Sequence, residues 1–271
     1  MKLSNILSRR NRILLRELVV TDFKLRYQGS VLGYAWSLLK PLFLFAILYT
    51  VFGLILRVGD NIEHFPVYLL LGIVLWSFFT EATSQGLTAI VNRGELIRKI
   101  NFPKYIIIIS NTISALINLA FNLVVVFFFV FLNGVDIHWH ILWLPLVIVE
   151  LYVFSLALAF FLSALYVKFR DIGYLWEVIL QGAFYATPIL YPISLVIKEG
   201  GLPVAKLLML NPMAQIIQEA RYLVVSPQTI TTKSIFDGVW YAYIPYAIIA
   251  VTIVLASWYF KRSSGKFAEN V

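Results

Sequence analysis

A chain of 271 residues that is 61% apolar and 13% charged, with a mean hydropathy of +0.84, falls outside the range of soluble domains, where about a quarter of residues are charged. It reads as an integral membrane protein. With no cysteine, disulfides, thiolate catalysis and cysteine-held metals are excluded. His64, His138 and His140 stand in or beside loops poor in carboxylates and form no metal site, and the net charge of +8 is not a nucleic-acid signal, because the bases gather beside apolar runs.

Met1 to Ser30 is basic and holds no apolar run of signal-peptide length, so no cleaved signal is expected. Leu14, Leu18 and Leu25 share one side of a helical wheel, with Asp22 and Arg26 close by, and residues 1–35 are predicted to carry an interfacial helix on the inner leaflet. Spans are predicted at Trp36–Val58, Phe65–Ala82, Tyr105–Leu132, Ile141–Val167, Ile172–Leu190 and Trp240–Phe260, each long enough for a hydrocarbon core of about 30 Å. Between the second and third lies a charged, helix-capable island, Arg93 to Lys104, and between the fourth and fifth a tight turn, Lys168-Phe169-Arg170-Asp171. From Tyr191 to Val239 short apolar pieces are broken by Pro192, Pro203, Pro212 and Pro227, which suits re-entrant or gate helices. Residues 261–271 form a basic tail.

Loop charge sets the orientation. Of 22 lysines and arginines, seventeen fall at the ends read as cytoplasmic, and Arg57, Lys198, Lys206, Arg221 and Lys233 remain for the other side. The fold class expected is therefore all-α: one polytopic domain with a six-span bundle over 36–260 and both termini cytoplasmic.

Polar groups inside the spans are the candidates for function. Asn111, Ser114, Asn118 and Asn122 recur at helical spacing on the third span, fitting either interhelical hydrogen bonding or a wet pathway. Glu81, Glu150 and Glu177 are carboxylates in or near apolar runs, and Glu150, the deepest, would suit a proton-coupled carrier. Tyr49, Phe52, Trp76, Phe79, Tyr185 and Tyr191 offer rings that stack on sugars, or else pack a core. No Gly-x-x-x-x-Gly-Lys-[Ser/Thr] loop occurs; Gly265-Lys266 is followed by Phe267. No ATP hydrolysis is expected on this chain.

The segment LLRELVVTDFKLRYQGSVLGYAWSLLKP, Leu14 to Pro41, closely resembles the N-terminal part of ABC-2 type permeases that export O-antigen, capsular polysaccharide or teichoic acid. The likeness continues through Arg-Gly-Glu-Leu-Ile-Arg-Lys-Ile-Asn-Phe-Pro at 93–103, the turn at 168–171, Thr187-Pro188-Ile189-Leu190-Tyr191 and Leu210-Asn211-Pro212-Met213. The resemblance implies a homodimer in the bacterial cytoplasmic membrane, moving a lipid-linked polysaccharide with two copies of a separate ATPase that binds ATP and Mg. No cofactor is implied for this chain. Six helices from one chain rarely enclose a pore for a polymer, which also favours a dimer.

By the same resemblance the ATPase would dock on Asp22, Lys24 and Arg26, on Arg93, Glu95, Leu96, Ile97, Arg98, Lys99, Ile100, Phe102 and Pro103 of the island, and on Phe169, Arg170 and Asp171. Leu96, Ile97 and Ile100 would give the island an apolar face.

Orientation has a direct test. Single cysteines at Gly94 and Ser264 should be shielded from an impermeant thiol reagent in intact cells, and cysteines at Asn133 and Gly200 should react; labelling at Gly94 from outside would reverse the loop assignment.

Overall fold

The computed structural model describes residues 9–27, 30, 32–33, 35–60, 62–100, 102–238 and 240–267, with the side chains of Phe23, Leu25, Arg26, Tyr27 and Lys266 left outside that description. The docking expectation for Arg26 therefore falls outside the described side chains, as do Asn101 of the island and residues 1–8 and 268–271 of the two ends. No strand occurs among the described residues, and the eleven α-helices are α1 Arg9–Tyr27, α2 Ala35–Leu48, α3 Phe65–Asn92, α4 Gly94–Lys99, α5 Tyr105–Leu132, α6 Leu144–Lys168, α7 Ile172–Ala186, α8 Ile193–Met209, α9 Pro212–Val224, α10 Thr232–Ile235 and α11 Ile244–Ser263. α2 runs on as a π-helix over Tyr49–Ile55, and short 3-10 turns, Trp139–Trp143 and Trp240–Tyr243, lead into α6 and α11.

Proline sits in the first turn of α3, α6, α9 and α11, where its missing N–H would have no helical partner. Asn211 caps α9 by accepting from the Met213 N–H at 3.0 Å, and Thr231 and Ser234 form a capping box on α10. At the end of α3 the chain turns at Arg93 and restarts at once as α4.

Among the described residues, five helical stretches are long and apolar enough to cross a membrane: Ala35–Ile55, Phe65–Asn92, Tyr105–Leu132, Trp139–Lys168 and Trp240–Ser263. Two expected boundaries need correction. The second span does not end at Ala82 but continues as helix to Asn92, with Thr83, Gly86, Leu87, Ala89 and Ile90 buried on the way. The fifth, expected to reach Leu190, is α7 alone, 15 residues ending at Ala186. Thr187 turns to extended backbone there because Pro188 disfavours helix in the residue before it. At about 1.5 Å per residue α7 is roughly 22 Å long, short of a hydrocarbon core.

α3 is the axis of the bundle, with 78% of its most apolar stretch buried against 11% for Ala35–Ile55. It packs most extensively on α6 and α5, and also on α2, α7 and α9; α6 in turn carries α11, and α5 carries α1. Gly86 allows the closest approach, since a Cβ there would overlap Ala159 of α6. Below this core a second cluster joins Ala89, Ile90, Ile97, Phe102, Ile107, Ile108, Phe260 and Phe267 at the end where α4 and the C-terminal turn meet, hereafter the basic end.

At the opposite end α8, broken at Gly201 (φ 79°), and α9 fold back as short helices. Arg221 of α9 pins them to α3. Its side chain is fully buried: Nε donates to the Tyr68 carbonyl (3.1 Å), Nη1 to the Pro188 carbonyl (2.5 Å) and Gln218 Oε1 (2.9 Å), and Nη2 to the Ile189 carbonyl (2.8 Å). The guanidinium also lies 3.4 Å from the centre of the Tyr68 ring.

Arg221→Met would take the donor from the buried carbonyls of Pro188 and Ile189 and should lower stability by roughly 3 kcal/mol or more, whereas Arg221→Lys, which keeps the charge but not the fork, should cost less. Gly72→Ala, whose added Cβ would lie 2.5 Å from Arg221 Nη2, should behave like the milder variant. Thermal unfolding in detergent ranks the three.

Candidate functional site

A cavity of about 1020 Å³ opens between the inner parts of α2, α3, α5 and α7. Its polar wall is built by helical spacing: Ser77, Glu81, Ser84, Gln85 and Thr88 on α3, Asn118 and Asn122 on α5, and Glu177 and Gln181 on α7. Lys40 of α2 and three tryptophans, Trp36, Trp76 and Trp176, complete it.

The wall is tied together through amides. Glu81 Oε1 accepts from Asn118 Nδ2 (2.7 Å) and Gln85 Nε2 (3.2 Å), and Asn122 Nδ2 donates to the Ser37 carbonyl of α2 (3.1 Å) and to the Asn118 carbonyl (2.8 Å). Trp176 Nε1 donates to Thr83 Oγ1 at 3.2 Å, which sets the rotation of α7 against α3. Asn118 Oδ1 and Thr80 Oγ1 of the lining are buried and have no hydrogen-bond partner among the described residues.

Of the ten polar and aromatic candidates for a pathway, Trp76, Asn118, Asn122 and Tyr185 face this cavity. The others lie elsewhere. Phe79 is buried in the core, its ring stacked on Phe154 at 5.7 Å. Tyr49 stacks on Phe45 at 5.6 Å, and Phe52 packs against the same core. Asn111 donates to the Gln85 carbonyl (3.2 Å), Ser114 to the Ser110 carbonyl of its own helix (3.0 Å) and Tyr191 to the Tyr185 carbonyl (2.9 Å). The polar face of α5 thus divides: Asn111 and Ser114 lie away from the cavity, whereas Asn118 and Asn122 line it while also bonding to α3 and α2.

Sequence reasoning noticed Glu81 and Glu177 only as carboxylates near span ends and passed over Lys40, Gln85, Gln181, Trp36 and Trp176. A signal was present. Ser77, Glu81, Ser84, Gln85 and Thr88 recur three and four apart, as do Gly173, Glu177 and Gln181. Glu150 is not among the lining residues; it accepts from Gln215 Nε2 (3.5 Å) on α9, beside Tyr246 and Glu219.

At the basic end the expected docking residues separate into two sets. Asp22 of α1 forms an ion pair with Arg93, and Ser110 Oγ reaches the other oxygen of Asp22 at 3.5 Å. Burial pushes the Arg93 guanidinium below the usual arginine range, though it stays charged. Ile97 and Phe102 are buried in the second cluster, with Leu96 and Pro103 half-buried. The face expected from Leu96, Ile97 and Ile100 is therefore split, because Ile97 anchors the helix while Ile100 is 46% exposed. Lys24, Glu95, Arg98, Lys99, Ile100, Phe169, Arg170 and Asp171 are exposed. The Glu95–Lys99 pair at 3.6 Å is fully solvated and adds little. Lys104 Nζ donates to the Ser264 carbonyl (2.8 Å) and lies 5.8 Å from the centre of the Phe267 ring, which brings the C-terminal turn onto the island.

Residues 13–225 match the ABC-2 type transporter family. An O-antigen export system permease protein RfbA of Myxococcus xanthus is 29% identical over 263 residues, covering 96% of each chain. A Klebsiella pneumoniae protein of the same name is 29% identical over 203 residues, 74% of this chain and 76% of that one.

A single cysteine at Gln181 should react quickly with a small water-soluble thiol reagent in the detergent-solubilised protein, and one at Ser114 should not, because only the first opens on the cavity. Equal rates, read by mass spectrometry, would mean that the cavity is not wet.

Proposed function

The chain belongs to the ABC-2 type transporter family, and from that premise we propose that it is the permease subunit of an ATP-driven exporter of lipid-linked polysaccharide, of O-antigen type, in the bacterial cytoplasmic membrane. The observation that carries this reading is the cavity, whose wall combines amides, hydroxyls, carboxylates and tryptophan rings inside an otherwise apolar bundle. Sugar hydroxyls bond to such amides and carboxylates, and sugar faces lie against such rings. The names of the relatives support the same substrate class.

In this reading two copies of the chain enclose the pathway, each crossing the membrane six times with α7 as the short fifth crossing, and both termini lie in the cytoplasm with the basic end. The work comes from two copies of a separate ATPase, which holds ATP and Mg. The exposed residues of the basic end, Lys24, Glu95, Arg98, Lys99, Ile100 and Phe169 to Asp171, receive it. A half-buried pair passes it on: Asp22 and Arg93 fasten α1 to the end of α3, which forms the polar wall of the cavity. α8 and α9, held by Arg221, close the outer end at rest.

Docking is tested without touching the core. Ile100→Asp leaves Ile97 and Phe102 in place, so the variant should reach the membrane at normal abundance, copurify poorly with its ATPase and lose most polymer export. Undiminished copurification would move the contact to the 168–171 turn or to α1.

A further inference from the structure

We propose that a second, smaller pocket, at the end away from the basic one, is a subsite for a single sugar unit of the exported glycan; this rests on the exporter reading above. The pocket holds about 230 Å³ and lies between the start of α3, the start of α8 and the loop that follows α9. Pockets for drug-sized ligands begin at about 300 Å³, so the space suits one ring and not a length of chain. Along α3 its Tyr68 is six residues, or about 9 Å, from Val74, where the lining of the large cavity begins. The Arg221 pin stands against Gly72, between the two.

The floor is set before any ligand arrives. Gln218 is buried, its Oε1 accepts from the Tyr68 hydroxyl (3.3 Å) and Arg221 Nη1 (2.9 Å), and its Nε2 donates to the Ile230 carbonyl (3.1 Å). Ser226 Oγ donates to Glu63 Oε2 (2.8 Å) and ties the loop to the residues ahead of α3. A site held in place beforehand gives up less freedom on binding.

The groups left over describe the ligand. Glu63 has one carboxylate oxygen engaged by Ser226, and the other has no partner among the described residues. The hydroxyls of Ser194 and Thr229 and the side-chain amide of Gln228 likewise have no hydrogen-bond partner there, and each can both donate and accept. Pro192 and Ile230 add apolar surface. A sugar ring matches this mixture: its O–H groups donate to a carboxylate and exchange bonds with hydroxyls and amides, and its C–H faces lie on apolar side chains. Ser194 belongs to α8, and Gln228 and Thr229 to the loop after α9, so a seated sugar touches the elements that close the outer end in the exporter reading as well as the fixed start of α3.

The test uses cells in which this chain and its ATPase are the sole exporter of a glycan for which an antibody exists. A photoreactive diazirine side chain is placed at Gln228, on the exposed rim, or at Lys233, exposed on α10 outside the pocket. After irradiation during export, the chain is isolated and its attached glycan is read with the antibody, per unit of glycan at the cell surface. Attachment at position 228 should exceed that at 233 about ten-fold, and Ser194→Trp, which fills the pocket, should cut it about five-fold or more. Ser194→Ala, which leaves the space open, should keep most of it. Equal attachment at 228 and 233, or attachment at 228 that Ser194→Trp leaves unchanged, overturns the subsite while glycan at the surface keeps the exporter reading. Absence of glycan from the surface of cells with the unmodified chain overturns the exporter reading and the subsite with it.

Discussion

A guanidinium sealed from water must find acceptors for its N–H groups within the protein, and at Arg221 these are the carbonyls of Tyr68, Pro188 and Ile189 with the Gln218 side chain. Each acceptor belongs to a piece that would otherwise be free to shift: the start of α3, the turn after α7, and α9 itself. A lysine could satisfy one direction at a time, whereas the planar fork satisfies several at once, and the Tyr68 ring offers its electron-rich face to the cation. The arrangement is dipolar, with peptide carbonyls in the role a carboxylate would usually fill. Three elements are thereby locked to one residue at the end away from the basic one, and the axial helix of the bundle starts from a fixed point.

From that point α3 runs 28 residues, about 42 Å, to the Asp22–Arg93 ion pair at the basic end. Its two halves serve different environments. The first is enclosed by α5, α6 and α9 and is apolar on all sides; the second presents apolar residues to α6 and a polar stripe to the cavity. One rigid element thus connects the place where a soluble partner would push, the wall along which a substrate would move, and the pin that holds the outer end.

Much of this was legible in the sequence. Five of the six expected crossings carry helices long enough to span, the proline-broken outer segment folds into short helices, and the family resemblance is upheld. What was missed has a common cause. Apolar runs mark where a helix meets lipid or core, so a span read from them ends at Ala82, beyond which Ser84, Gln85 and Thr88 alternate with buried residues; the helix continues because those polar groups have a cavity to face. In the same way Phe79 and Tyr49 could be recognised as aromatic but not placed, since which side of α2 or α3 meets a neighbour is decided by tertiary packing. Ile97 was assigned outward because the island was read as an isolated helix, without Phe260 and Phe267 arriving from the far end of the chain to bury it.

The π-helical stretch Tyr49–Ile55 bears on the lipid as well as on the protein. Its wider turns, closed by bonds such as Leu56 N–H to the Val51 carbonyl, advance less per residue than an α-helix does. The 21 residues of Ala35–Ile55 would measure about 31 Å as pure α-helix, so the π-helical turns leave the real segment no longer than a typical hydrocarbon core of about 30 Å. Leu54, Ile55 and Leu56 are exposed at its outer end, followed directly by Arg57. A stretch that only matches the core has no length to spare for tilt, and a basic side chain beside its apolar end, as Arg57 is here, is of the kind that reaches for headgroups. Seven residues of backbone thus set how much apolar length the first helix offers a bilayer.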